Sequence, residues 1–469
     1  MRRPTLAWAG LAAVAAGLAA VGIAHWLWAV GLRGPVLYGE GAVANAAILA
    51  RQRLEYTANA RWEDATPLFT AANYPPLYLH LASIGDPFVT GRILSIAATL
   101  FVAGAIAWRA RPAGALVAAA LALAWLGSVP VLQWGAAVKP DLVALAFTVS
   151  AVMALDRARP RNALAGALVG VAAMAKPTAL VPALAMLLFV GRRDPAAATR
   201  ALASGVVAAF AVAFTTHGPE GGALTHVIDW NALAWRPELA APLLLLALLV
   251  LAVPIATIAL TRPSTTIVTA YAAGAVGLLL LGGREGATIN YFLDLSAAIA
   301  LALAGRAPLL ASSARYPLAA IAQAALAVLL LNPFGIVPGG TASVGAWGDP
   351  ARIDVVARLG GATLVEDSGL LVALGRQPIV DDVFLWSRDR AREVAGQLSF
   401  PEGQAVIDAV RAGRFDAVVS EADLATLDGV GGFERQRWHP DLVAAILDRY
   451  ALRSPSGLID RPLFVYVRR

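Results

Sequence analysis

The stretch "ALVGVAAMAKPTALVPALAMLLFV", residues 167–190, places one lysine and one proline inside an otherwise apolar run. As a single membrane helix it would carry a charge in its middle; as two short helices it would turn at Lys176. The flanks decide between the two. "DRARPR" (156–161) and "GRRD" (191–194) bracket the run, and arginine-rich short loops stay on the cytoplasmic side of a membrane. The chain therefore has to go out and come back between them. A proline interrupts helical hydrogen bonding and biases its predecessor away from helical geometry, which suits a turn. The run reads as a hairpin with Lys176-Pro177 at its outer tip. Each arm of about 14 residues spans roughly 21 Å, so the tip is expected below the outer membrane surface, with its charge facing a water-filled cavity.

The rest of the chain fits a membrane setting. At 469 residues, 59% hydrophobic and 14% charged, it is too apolar for a soluble protein of this size. Its net charge of +6 sits mostly as arginine in short loops, where it reports orientation, and no nucleic-acid partner is expected. There is no cysteine, which excludes disulfides and thiolate chemistry. Candidate spans lie near 5–30, 88–107, 112–132, 142–155, 162–175, 178–190, 200–215, 239–260, 264–282, 289–305 and 316–332, a set of about 11 crossings at the usual span length. The first is read as a retained helix rather than a cleaved signal.

This threading predicts a multi-pass protein of the cytoplasmic (inner) membrane with its N-terminus in the cytoplasm. Residues 1–332 form the membrane domain, with a long outer loop at 31–87, and residues 333–469 form a small extracytoplasmic α/β domain. In that last part "ATLVED", "GLLVAL", "FDAVVS" and "LFVYV" read as strands, and "REVAGQL" and "QAVIDAVRA" as amphipathic helical stretches. No repeat of fixed period and no pair of transporter-like halves is evident.

The chain has 37 basic residues, of which only Lys139 and Lys176 are lysines. Both precede proline and both fall on the outer side. They are either strays in an arginine-rich composition or, with Arg284, part of one outer cavity for a phosphate, lysine acting as a point charge and arginine as a fork. Glu40, at the junction of the first helix and the outer loop, is either a residue stabilised by a helix N-terminus or a general base facing that cavity. Asp141 is a helix cap paired with Lys139 or a second acid of the site. Tyr74 and Tyr78 in "ANYPPLYLH" fit an interfacial aromatic belt or, for Tyr74, the cavity wall. Asn290 and Tyr291 either hydrogen-bond a ligand or pack a helix end. His80, His217 and His226 lack the spacing of a metal site. Glu366-Asp367 reads as a solvated turn.

"YGEGAVANAAILARQ", "NYPPLYLHLA", "GRILSIAATL", "WGAAVKPDLVALAF", "AAMAKPTALVPAL" and "GGREGATINYFLDL", in that order, resemble the bacterial members of the GT-C glycosyltransferase superfamily, in particular polytopic proteins of the dolichyl-phosphate-mannose-protein-mannosyltransferase type. The resemblance spans about residues 1–332. It implies a GT-C-like helical membrane fold and a transferase moving a sugar from a polyprenyl-phosphate donor to a glycan, lipid or protein acceptor on the outer face. The family's essential acid matches Glu40, and Lys139, Lys176 and Arg284 match charged or polar positions near the lipid phosphate. No cofactor is implied; a divalent metal is compatible but not indicated. Relatives often carry aspartate or an acidic pair where this chain sets glycines on both sides of a lone glutamate. A transporter of an anionic or lipid-linked substrate, or an inactive scaffold, is the rival expectation.

Overall fold

The hairpin is present. In the computed structural model, which describes residues 3–56, 69–216, 222–261, 265–335, 350–397, 403–429, 436–456 and 462–469, helix α8 (Asn162–Ala175) ends at Lys176 in extended conformation. One 3-10 turn, Pro177–Ala179, then leads into α9 (Leu180–Gly191). The arms do not lie against each other along their length. Helix α8 packs mainly on α7 (Asp141–Leu155) and α10 (Pro195–Thr216), and α9 on α12 (Ile267–Leu279). The gap between them holds a large apolar cavity.

Each expected span coincides with a helix. The remaining ones are α1 (Arg3–Gly31), α4 (Pro87–Ala110), α5 (Ala115–Leu126) with the short α6 (Val129–Trp134), α11 (Pro237–Leu260), α13 (Phe292–Leu310) and α14 (Arg315–Leu331). Two short helices, α2 (Glu40–Ala50) and α3 (Pro76–Ala82), lie in the connection after α1. Among the described residues five helices are long and apolar enough to cross a membrane unaided, and the chain is a multi-pass membrane protein. Helix α13 is the central one, buried on most of its faces. Helices α10 and α11 instead expose rows of Leu, Val and Phe, which suits lipid contact.

Helix α11 carries Pro254 in its interior, where the missing N–H and the ring disturb the local ladder. The side-chain amide of Gln323 on α14 bridges the disturbed turn, accepting from Val253 N at 2.9 Å and donating to Leu249 O at 2.8 Å. Backbone groups without partners are expensive in lipid. Gln323→Leu is therefore expected to cost about 1–3 kcal/mol, seen as earlier thermal unfolding of the detergent-solubilised protein; an unchanged transition would show the bridge to be dispensable.

After α14 the chain builds α15 (Pro350–Ala357), β1 (Thr363–Val365), α16 (Gly369–Ala373), α17 (Val383–Val394), α18 (Gly403–Arg411), β2 (Ala417–Ser420), α19 (Pro440–Arg449), β3 (Tyr450–Ser456) and β4 (Leu463–Arg468). The sheet order is β1-β2-β4-β3, with β1 and β2 parallel and the other pairs antiparallel. "GLLVAL" was expected as a strand and is helix α16; a short apolar run satisfies either period, and here it packs its buried leucines against the same core as β1 and β2. Strand β3 escaped the pattern because "YALRSPS" alternates poorly.

This α/β unit is clamped to the connection after α1 through Asp381. Its Oδ1 accepts from Ala71 N at 2.8 Å and its Oδ2 from Asn45 Nδ2 on α2 at 3.0 Å. Phe69 and Val380 form a parallel bridge beside it. Burial pushes the Asp381 carboxyl up to about 8.

Candidate active site at the α/β interface of the bundle

Pro140 leads into α7 and Pro177 follows the end of α8, which places both lysines in turns at the same end of the bundle. Arg284 follows the 3-10 turn Leu280–Gly283, and Asn290 and Tyr291 belong to the 3-10 turn before α13. Chain breaks at one level of the bundle are what bring these polar side chains together. Tyr74, Lys139, Asp141, Lys176, Arg284, Asn290 and Tyr291 all line one polar cavity of about 350 Å³. Glu40 does not.

Asp141 opens α7 and takes the ammonium of Lys176 on its Oδ1. Asn290 Nδ2 donates to the same oxygen at 2.7 Å. The other oxygen, Oδ2, is buried with no partner among the described residues. Asp141 thus pairs with Lys176, and not with Lys139 as its helix-cap reading expected. The Lys139 Nζ donates to Gly39 O at 2.7 Å and lies 5.8 Å from the Tyr74 ring; burial lowers the pKa of its ammonium, a shift opposed by the carboxylate of Asp382. Arg284 donates to Tyr291 OH at 2.8 Å and to Asn231 O at 3.0 Å. The Lys176 ammonium lies 5.3 Å from the Tyr291 ring.

Glu40 sits behind this wall, fully buried. Its Oε2 accepts from Val36 N at 2.8 Å and from Arg92 Nη2 at 3.0 Å, and its Oε1 from Val138 N at 2.8 Å. Arg92, on α4, also donates to Ala29, Leu32 and Gly34 carbonyls at the end of α1, where a helix leaves carbonyls without partners. The expectation of Glu40 as a base facing the cavity therefore meets a carboxylate already engaged on both oxygens. Its contact with Val138 fixes the turn that presents Lys139. The two flanking glycines have reasons of their own. Gly39 has φ +76, and a Cβ there would come 2.9 Å from Lys139 Nζ; a Cβ on Gly41 would come 2.0 Å from Gly369 N of the α/β unit. An acid at either position would displace what packs there.

The remaining expectations resolve individually. Tyr78 is not an interfacial ring but a fully buried one donating to Gly91 O at 3.2 Å. His80 pairs with buried Glu55 at 3.0 Å, and His226 accepts from Ala72 N at 3.2 Å; His217 lies outside the described residues. Among the described residues no three His, Asp or Glu side chains gather as a metal would require. Glu366-Asp367 is no solvated turn: both are buried, and Glu366 pairs with Arg437 at 2.9 Å and accepts from Ser420 and Glu421.

The sequence suggested a lid or an acceptor-binding module for the α/β unit but did not single out the residues that reach the cavity. Asp382, Phe384 and Arg437 reach its wall beside Tyr38. Arg437 stacks 4.0 Å from the Tyr38 ring, and Asp382 Oδ1 accepts from Leu385 N at 3.0 Å and from Tyr38 OH at 3.3 Å. Burial raises the Asp382 pKa, countered by Leu385 N–H and Lys139. The aspartate pair of "VDDVFLW" was the available signal, but an Asp before a helix reads equally well as a cap.

The apolar cavity between α8, α9 and α10 has a volume of about 900 Å³ and shares Pro177 and Val227 with the wall of the polar one. A polar chamber with four cations, Lys139, Lys176, Arg284 and Arg437, thus adjoins an apolar groove.

The fold has counterparts among solved structures, in line with the sequence resemblance. The structure is similar to ArnT from Cupriavidus metallidurans bound to undecaprenyl phosphate, with a TM-score of 0.55 at 13% identity over 96% of this chain and 97% of that one. The apo form of the same ArnT matches with a TM-score of 0.54 at 12% identity over the same shares. No protein-family profile and no curated protein matches the sequence.

Proposed function

We propose that the protein is a membrane glycosyltransferase that takes its sugar from a polyprenyl-phosphate donor and passes it to a hydroxyl acceptor on the extracytoplasmic face of the cytoplasmic membrane. The observation that carries this reading is the junction of the two cavities: Lys139, Lys176 and Arg284 gathered in a polar chamber next to a long apolar groove. A lipid phosphate is a ligand with one end for each. Its prenyl chain would lie between α8, α9 and α10 and its phosphate against the cations. The fold shared with an ArnT bound to undecaprenyl phosphate supports the same assignment.

In transfer, the acceptor oxygen attacks the anomeric carbon, the bond from that carbon to the phosphate oxygen breaks, and the acceptor proton goes to a base. Charge grows on the departing phosphate, so cations already held in place favour the transition state over the ground state. Asp141 is the base of this proposal, since its Oδ2 has no protein partner and it lies among the cations. Glu40 acts at one remove, holding the turn of Lys139.

The test is transfer by the full-length protein from a panel of radiolabelled undecaprenyl-phosphate sugars, alongside binding of bare undecaprenyl phosphate. Turnover of one donor is expected, with Arg284→Gln lowering kcat/KM and lipid-phosphate affinity roughly tenfold to a hundredfold. Absence of both turnover and lipid-phosphate binding would overturn the reading.

A further inference from the structure

We propose that the α/β unit supplies the sugar-recognition wall of this cavity, with Asp382 as the residue that accepts hydrogen bonds from the hydroxyl or amino groups of the transferred sugar. This rests on the lipid-phosphate reading of the site.

Of the carboxylates of the cavity, one stands outside any ion pair among the described residues. Three acids line the cavity: Asp141, Glu285 and Asp382. Asp141 is ion-paired with Lys176, bonded by Asn290 and, as the proposed base, committed to the acceptor. Glu285 is held by Arg236 at 2.9 Å and Arg388 at 3.3 Å. Asp382 makes no ion pair within contact distance among the described residues; its Oδ1 is oriented by a backbone N–H and the Tyr38 hydroxyl. A carboxylate accepts hydrogen bonds at about four positions, so one held this way keeps capacity for a ligand.

Position gives the ligand. A phosphate bound near Lys176 has its prenyl chain on the side of Pro177 and Val227, which both cavities share. The sugar, on the other ester of that phosphate, is left with the part of the chamber walled by Tyr38, Phe384 and Asp382. Aromatic side chains beside an oriented carboxylate suit a sugar ring, which offers C–H faces and O–H or N–H donors together; Arg437 already covers one face of the Tyr38 ring. Asp381, one residue earlier, is bonded to Ala71 and Asn45 of the membrane part. The clamp and the recognition residue are therefore adjacent, and the wall keeps its distance from the cations.

Asp382→Asn separates this role from that of a helix cap, because asparagine caps as well as aspartate while losing the charge. The full-length protein in detergent is titrated with bare undecaprenyl phosphate and with the same lipid phosphate carrying glucose, galactose, mannose or glucosamine. Wild type is expected to prefer one glycosylated form over the bare lipid by at least about tenfold, and Asp382→Asn to abolish that preference while binding the bare lipid as before. A preference kept intact in the variant, or an equal loss for bare and glycosylated lipid, overturns the inference and leaves the lipid-phosphate reading standing. Failure of wild type to bind any of these lipids overturns that reading and this inference with it.

Discussion

Asp141→Asn is expected to lower sugar transfer roughly a hundredfold to ten-thousandfold, the range in which positioned proton transfer contributes. Asparagine keeps the size of the side chain and an oxygen that can still accept from Lys176 and Asn290. What it removes is the proton acceptor and the charge opposite Lys176. Binding of bare undecaprenyl phosphate should therefore survive, or tighten as the cations lose a competing anion. The measurement is single-turnover transfer with the donor bound beforehand, which separates chemistry from binding. Turnover within a few-fold of wild type would remove Asp141 from the chemistry. A matching loss of turnover and of lipid-phosphate affinity would make it a positioning residue for Lys176.

How far the sequence foretells this site depends on how local each signal is. Lys176-Pro177 was legible because proline dictates a break whatever surrounds it, and α8 ends there. The two lysines stood out by rarity alone, and the alternation of arginine-rich loops put them at one end of the bundle, where the cavity lies. Glu40 kept two readings, helix start and cavity base, for the opposite reason, and it stands at the start of α2. A lone acid after a first membrane helix looks the same whether it faces a cavity or an arginine, and its partner Arg92 sits 52 residues away on α4. Within "GRILS" that arginine carries no mark of its burial. Asp382 was further out of reach, since its partner Tyr38 is 344 residues distant and only docking of the α/β unit brings them together. The buried Glu366 illustrates the same limit: an acidic turn and an ion-pair core share one sequence pattern until Arg437 is placed against it.

Arg92→Met is expected to be the most damaging single change to stability, and comparison with Glu40→Gln tests what Glu40 is for. The Arg92–Glu40 pair is fully buried on both sides. Two charges taken out of water are tolerable only while they hold each other; removing one partner leaves an uncompensated buried charge and costs about 3–5 kcal/mol. Arg92→Met also strips the end of α1 of the guanidinium that satisfies Ala29, Leu32 and Gly34. Glu40→Gln is damaging for a different reason. All three of its contacts, Val36 N, Val138 N and Arg92, are donors, and the glutamine amide turns one acceptor into a fourth donor. The double variant removes both charges, so its loss should fall short of the sum of the single losses, with a coupling of about 0.5–3 kcal/mol. Thermal unfolding of the four proteins in detergent supplies the cycle. A base facing the cavity would behave otherwise: Glu40→Gln would unfold like wild type, lose turnover, and show no coupling to Arg92. Coupled destabilisation instead makes Glu40 the anchor of the turn that presents Lys139, and any turnover lost with it should track the loss of folded protein.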